Sequence, residues 1–179
     1  MSIKSHVRSF LGAKKMAALP SGTNAPPITL ADTNGAKRSL AEALQSGPVL
    51  AAFFKVDCPT CQFTMPFLER LHQRYSGPKF SMLGISQDDA RDTREFCEEY
   101  GLKFPCLLDE SGYPVSNVYG LTNVPTLFYI EPSGYIEVSS VSWSKAEVEA
   151  VNHKLAAVRQ QIVAVLWRKG EDVREFRAG

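Results

Sequence analysis

The sequence predicts an α/β fold: a central mixed β-sheet flanked by helices, with an N-terminal β-hairpin and a long C-terminal helix. Three observations point there. The apolar run 48–56 passes directly into a helical stretch at 59–75, a second strand-to-helix unit spans 80–100, and a hairpin closes the body at 126–139. Alternating strands and helices imply parallel crossovers, and the closing hairpin adds antiparallel strands. With 179 residues, 44% of them hydrophobic and 22% charged, the chain can bury one ordinary core. Its 20 basic and 19 acidic residues leave a net charge of +1, and no run of five like charges occurs. That removes the electrostatic footprint of a dedicated nucleic-acid binder.

Taken in order, residues 20–27 are rich in Pro, Gly, Ser and Asn and read as a loop after an N-terminal arm. The arm is expected to be a short helix or partly disordered. Two short extended pieces between 28 and 40 flank Asn34-Gly35, a strong hairpin turn signal. The run 48–56 is apolar except for Lys55, as a strand buried on both faces would be. The strand 80–86 feeds a charged helix from about 88 to 100, which ends at Gly101. A short strand at 104–108 and a short helix at 113–119 follow. The final hairpin turns at Pro132-Ser133-Gly134.

The last segment opens with the capping box Ser144-Lys145-Ala146-Glu147. Val148, Val151, Leu155, Val158, Ile162 and Val165 then recur at spacings of three and four, which reads as one long helix. Such a stripe packs on its own sheet as any amphipathic helix does; the sharper alternative is a homodimer through this helix. The organisation is therefore an N-terminal arm (1–21), an α/β body (22–141), and a C-terminal helix and tail (142–179) packed on that body. No apolar run approaches the ~20 residues of a membrane-spanning helix. Lys14 and Lys15 interrupt the apolar stretch that a signal peptide needs, so the chain reads as cytoplasmic, with a periplasmic or secreted setting if the N-terminus is trimmed or a weak signal.

Four cysteines are too few for a disulfide framework, and they are unevenly placed: Cys58 and Cys61 form a C-x-x-C, while Cys97 and Cys106 stand apart. Cys58-Pro59-Thr60-Cys61 falls where the buried strand gives way to a helix, beside unpaired N–H groups and the positive end of the helix dipole. A thiolate is favoured there; C-x-x-C thiols at such positions ionise at roughly 3.5–7.5 rather than ~8.5. Cys58 would attack a disulfide as nucleophile, and Cys61, one turn further on, would resolve the mixed disulfide. Pro59 suits the first helical turn, where its missing N–H costs nothing. A zinc site is disfavoured because Cys97 and Cys106 have the wrong spacing and no His follows at ligand distance. Neither metal nor cofactor is called for. His6, His72 and His153 form no pattern with an acid or a nucleophile.

Val124-Pro125-Thr126 precedes the strand starting at 126, and proline is admitted to a sheet at a strand start or an edge. With Phe53-Phe54 before the C-x-x-C, Met65-Pro66-Phe67-Leu68 after it, Gly84-Ile85-Ser86 and Tyr119-Gly120-Leu121, residues 22–141 resemble the thioredoxin-like superfamily, specifically AhpC/TSA-type redoxins and TlpA-like thiol-disulfide oxidoreductases. The resemblance implies a thioredoxin-like fold and a cis Pro125 lying against the C-x-x-C. A cis-proline exposes the backbone of Val124 beside the sulfurs, where an extended substrate adds a strand-like pair of hydrogen bonds. Val124, Pro125, Asp57, Pro59 and Thr60 are then the residues a bound substrate touches. The implied partners are a protein disulfide or dithiol and an external redox partner.

Two departures matter. The buried acid that thioredoxin carries six positions before its first cysteine is replaced by Ala52, so that proton relay is expected to be absent. The Trp common before that cysteine is replaced by Asp57, whose charge opposes a neighbouring thiolate. The competing activity is a peroxiredoxin-like peroxidase. The peroxidatic pattern P-x-x-x-T/S-x-x-C aligns on Cys61, but Phe54 stands at its proline and Cys58 at its Thr/Ser position. A further alternative is a redoxin scaffold without catalysis. Cys97 and Cys106 default to small buried hydrophobes, and their spacing leaves a bond between them open.

Overall fold

A computed structural model describes residues 17–179; most of the N-terminal arm, with the expectation of a short helix or disorder there, lies outside them. In chain order the elements are β1 (Thr29–Ala31), β2 (Lys37–Ser39), α1 (Leu40–Ser46), β3 (Val49–Phe54), α2 (Pro59–Tyr75), β4 (Ser81–Ser86) and α3 (Ala90–Glu99). They continue as β5 (Cys106–Leu108), α4 (Pro114–Val118), β6 (Thr126–Ile130), β7 (Ile136–Val141), β8 (Trp143–Ser144), α5 (Lys145–Arg159) and β9 (Phe176–Arg177).

The central sheet has the order β5-β4-β3-β6-β7. β3 runs parallel to β4, and β4 to β5, while β6 and β7 run antiparallel to their neighbours. β3 lies in the middle with all six residues buried, which is why its sequence is continuously apolar rather than alternating. Successive side chains still point to opposite faces. Leu50, Ala52 and Phe54 join Met65, Leu68 and Leu71 of α2 and Val148, Val151 and Leu155 of α5 in one core layer. Val49, Ala51 and Phe53 join Leu40, Val115, Tyr119 and Phe128 in the other. The sheet thus has helices on both faces.

Two elements depart from the sequence reading. α1 follows β2 directly, where the sequence suggested no helix. Ser39 caps its start: the hydroxyl accepts from the Glu42 N–H at 3.2 Å and donates to Glu42 Oε2 at 2.8 Å. The C-terminal helix is shorter than its periodicity implied. It ends at Arg159 because Gln160 takes up a left-handed conformation (φ 52°), and the chain then folds back over α2. Tyr75 Oη donates to Asn152 Oδ1 at 2.6 Å and accepts from the Ala164 N–H at 2.8 Å, while Asn152 Nδ2 donates to the Ala164 carbonyl. Ile162 and Val165, expected on the helical seam, are instead 85% and 89% exposed beyond the helix.

The returning segment is held at several points. Leu166 is buried, and Trp143, Phe63, Phe67 and Trp167 pack ring against ring with centroids 5.0–5.9 Å apart. Arg70 grips Glu171 with both guanidinium nitrogens, at 2.5 and 2.8 Å. β9 then pairs antiparallel with β8. The tail, in which the sequence offered no chemistry, is carried back to the end of the sheet where β3 meets α2. None of the helices among the described residues is long and apolar enough to cross a membrane.

Candidate active site

β3 ends at Phe54, and four residues later, at Cys58, the chain turns into α2. Cys58 is the N-cap of that helix (φ −83°, ψ 113°), and its sulfur accepts the Cys61 N–H at 3.3 Å. The sulfur thus takes one of the orphan N–H groups at the start of the helix. Pro59 occupies the first turn. Gln62 Nε2 donates to the Val56 carbonyl at 2.8 Å and steadies the turn. Cys58 is half-buried, Asp57 and Pro59 are exposed, and Cys61 is fully buried.

Burial pushes the Cys61 thiol well above the ordinary thiol range, and its hydrogen bond with Cys58 adds to the rise. The pair is therefore asymmetric: one sulfur reachable at a helix end, the other kept protonated behind it.

The opposing wall is the loop before β6. The Val124–Pro125 peptide bond is cis, and the Val124 carbonyl lies 3.4 Å from Cys58 Sγ. Thr126 Oγ1 donates to the Asn123 carbonyl at 2.7 Å, and the Ser142 N–H to the Pro125 carbonyl at 2.8 Å, which fix the loop from both sides. A cleft of about 330 Å³ opens beside this wall, lined by Lys55, Gln87, Tyr113, Ser116, Asn123 and Val124. The Thr60 hydroxyl donates to the carbonyl of Ala178 in the returning tail at 2.5 Å.

Asp88, which the sequence reading did not single out, also acts on this site. Ala52 is indeed buried in the sheet without an acid, but Asp88 enters from the loop after β4. Its carboxylate accepts the Val56 N–H at 2.8 Å. Burial raises its pKa, partly offset by that hydrogen bond and by Lys55, and its charge contributes to the rise at Cys61. Its signal in the sequence is its position, just past the carboxyl end of the strand beside β3, where open α/β sheets gather their functional groups. Cys97 and Cys106 do not converge on the C-x-x-C; they face each other across the sheet edge.

A dithiol at a strand-to-helix junction, facing a cis-proline loop on a mixed five-stranded sheet, defines the class of thioredoxin-fold thiol redoxins. Within that class the chain belongs to the AhpC/TSA family, whose family model matches residues 21–139. It is 29% identical over 142 residues to the thioredoxin-like protein YneN of Bacillus subtilis, covering 76% of this chain and 81% of that one. It is 28% identical over 121 residues to the thiol-disulfide oxidoreductase ResA of Geobacillus thermodenitrificans, covering 67% and 68%. Among solved structures, a putative thiol:disulfide interchange protein DsbE from Chlorobium tepidum superimposes with a TM-score of 0.69 at 22% identity, covering 79% of this chain and 99% of that one. Peroxidoxin BcpB from Mycobacterium tuberculosis does so with 0.63 at 23%, covering 79% and 97%.

Proposed function

We propose that the protein is a thiol-disulfide oxidoreductase that works through Cys58 and Cys61. The observation that carries this is the asymmetric pair: Cys58 capped by an N–H and 3.4 Å from the Val124 carbonyl, with Cys61 buried one turn behind it. The Cys58 thiolate attacks one sulfur of a substrate disulfide, and the other sulfur leaves as a thiolate and takes up a proton. A mixed disulfide remains on Cys58. Cys61 then loses its proton, attacks the Cys58 sulfur and expels the second substrate thiolate. Two electrons have passed to the substrate, and a Cys58–Cys61 disulfide is left for an external dithiol to reduce; the reverse sequence oxidises a dithiol substrate.

Val124 and Pro125 form the wall along which an extended protein substrate lies, with Asp57 and Pro59 at its exposed rim. Residues 22–141 carry this chemistry, while residues 142–179 brace α2 and end against the Val124 wall. The C-terminal helix offers little to a second copy, since Val148, Val151 and Leu155 are buried within the chain. We infer that it acts as a single chain. A structural neighbour from Mycobacterium tuberculosis is a secreted disulfide oxidoreductase, which favours a compartment outside the cytoplasm over the cytoplasmic reading of the N-terminus.

Full burial of Cys61, the cysteine in the peroxidatic frame, argues against direct peroxide reduction, because the thiolate is the reacting form. The decisive experiment is disulfide exchange by two variants. Cys58→Ser abolishes turnover, and Cys61→Ser accumulates a covalent complex with substrate that reductant releases. Full turnover by the Cys58 variant would overturn the mechanism.

A further inference from the structure

A second pair of thiols lies at the edge of the sheet, unused by the exchange cycle. Cys97, in the last turn of α3, and Cys106, the first residue of β5, bring their sulfurs to 3.2 Å as free thiols. The backbone fixes both: the Leu102 N–H donates to the Cys97 carbonyl at 2.8 Å, and the Thr33 N–H to the Cys106 carbonyl at 3.1 Å. Gly84 stands opposite Cys106 in the β4–β5 register, and a Cβ there would lie 2.8 Å from Cys106 Sγ. Cys106 is buried and Cys97 half-buried. The pair is reachable, because a cavity of about 390 Å³ opens on both cysteines between Asp32, Asn34, Arg38 and Lys103.

We propose that Cys97 and Cys106 are a second redox-active dithiol, oxidised to an intramolecular disulfide by a small carboxylate-bearing disulfide that enters this cavity. Arg38, half-exposed and bonded to Asp32 at 3.1 Å, and the exposed Lys103 supply cations at the rim. Asp32 and Glu69, the latter accepting the Lys103 N–H at 2.8 Å, carry the opposing charge. Cys97 reacts first because it is the accessible sulfur. Its thiolate attacks one sulfur of the small disulfide, forming a mixed disulfide and releasing one small thiolate. Cys106 then loses its proton and attacks the Cys97 sulfur, which expels the second small thiolate. Two protein thiols have been oxidised, one external disulfide has become two thiols, and α3 is tied to the edge strand.

The test uses the full chain carrying Cys58→Ser and Cys61→Ser, exposed to glutathione disulfide, alkylated, digested with trypsin and mapped by mass spectrometry. Cleavage after Lys103 separates the two cysteines unless they are joined. The expected product is the joined peptide pair, lighter by two hydrogens, with no alkylation at either cysteine. Adding Cys106→Ser should leave glutathione held on Cys97, and adding Cys97→Ser should leave Cys106 unmodified. The unaltered protein, mapped in the same way, provides the reading if the serine variants fold poorly. Both cysteines remaining reduced where Cys58 and Cys61 of the unaltered protein oxidise, or each carrying its own glutathione, overturns the proposal. Neither result bears on exchange at Cys58.

The tail carries an independent inference, which rests on the proposed exchange site. After β9 the chain crosses the mouth of that site. Thr60 donates to the Ala178 carbonyl, Asn123 Nδ2 to the Gly179 carbonyl at 3.0 Å, and the Gly179 N–H to Ser142 Oγ at 3.0 Å. Gly179 lies against the Val124 carbonyl so closely that a Cβ would overlap it. We infer that residues 176–179 are a built-in occupant of the substrate groove, which an extended substrate must displace to reach Val124.

Removal of residues 176–179 should raise kcat/KM toward a peptide disulfide severalfold, mainly by lowering KM. Gly179→Val, which expels the tail while keeping its length, should act in the same direction. A synthetic peptide of residues 174–179 should inhibit the shortened protein. Unchanged or weaker substrate use by both variants overturns the inference, whereas absence of turnover in every form, the unaltered chain included, tells against the exchange site itself.

Discussion

The two cysteine pairs show how helix ends decide what a thiol can do. Cys58 caps the N-terminus of α2, where its sulfur accepts the Cys61 N–H at 3.3 Å. Cys97 lies in the last turn of α3, at the negative end, with Glu98 and Glu99 beside it. What favours its ionisation is the hydrogen bond with Cys106, which outweighs the opposing burial. The first pair is held open by its secondary structure, and the second depends on its own partner. Exchange at Cys58 should accordingly survive loss of Cys106, while reaction at Cys97 should slow without it.

Removing a nucleophile is the sharpest way to separate the two pairs. Cys58→Ser should reduce exchange on the order of a thousandfold or more, whereas Cys97→Ser and Cys106→Ser should leave steady-state exchange with a protein disulfide close to that of the unaltered chain. A comparable loss in either of the last two would make the pairs one relay and erase the contrast. Next in size is Gly84→Ala. Its new methyl meets Cys106 Sγ, Phe104 and Phe54 within 3.3 Å, so it should cost about 1–3 kcal/mol of stability in a denaturant titration. It should also displace Cys106 and lower the yield of the Cys97–Cys106 bond, with exchange at Cys58 intact.

The sequence exposed the first pair more fully than anything else, for physical reasons. A central strand buried on both faces must be apolar throughout, and Pro59 marks the first turn of the helix after it, so the junction holding Cys58 is written locally. Pro125 is legible for the same reason, at the head of a strand. The remainder depends on contacts between distant segments. Asp88 reaches the site from the end of β4, and its effect on Cys61 exists only once β3 and β4 are paired. The end of α5 is set by Asn152 and Tyr75 holding Ala164, which the continuing three-and-four spacing of Val158, Ile162 and Val165 conceals. The tail docks mainly through backbone atoms of Ala178 and Gly179, which leave no side-chain pattern to read.

Asp88 offers a subtler test of the same asymmetry. Its charge helps to hold the proton on Cys61, so Asp88→Asn should lower the Cys61 pKa while the amide oxygen still accepts the Val56 N–H. The pH profile of mixed-disulfide resolution should move to lower pH, with a rate change within about tenfold. A profile that stays in place would remove Asp88 from the site and leave burial and Cys58 as the causes of the rise.

The smallest effect concerns the brace behind α2. The hydrogen bond from Arg70, with a second from the Arg168 N–H, draws the Glu171 carboxyl from its ordinary 4.5 down to about 2. Because the folded value lies below the unfolded one, the stabilisation is complete above about pH 4.5 and is lost as pH falls toward 2. Both side chains are about a quarter exposed, at 22% and 27%, so solvent screening keeps the contribution to at most about 1 kcal/mol. In an acid titration followed by tryptophan fluorescence, Glu171→Gln should flatten that part of the stability curve, and high salt should imitate it in the unaltered protein. If the tail is anchored through this pair, Glu171→Gln should also quicken alkylation of the reduced protein at Cys58 relative to Cys97 near neutral pH, where thiolates form, since releasing residues 176–179 uncovers one pair and leaves the other where it was.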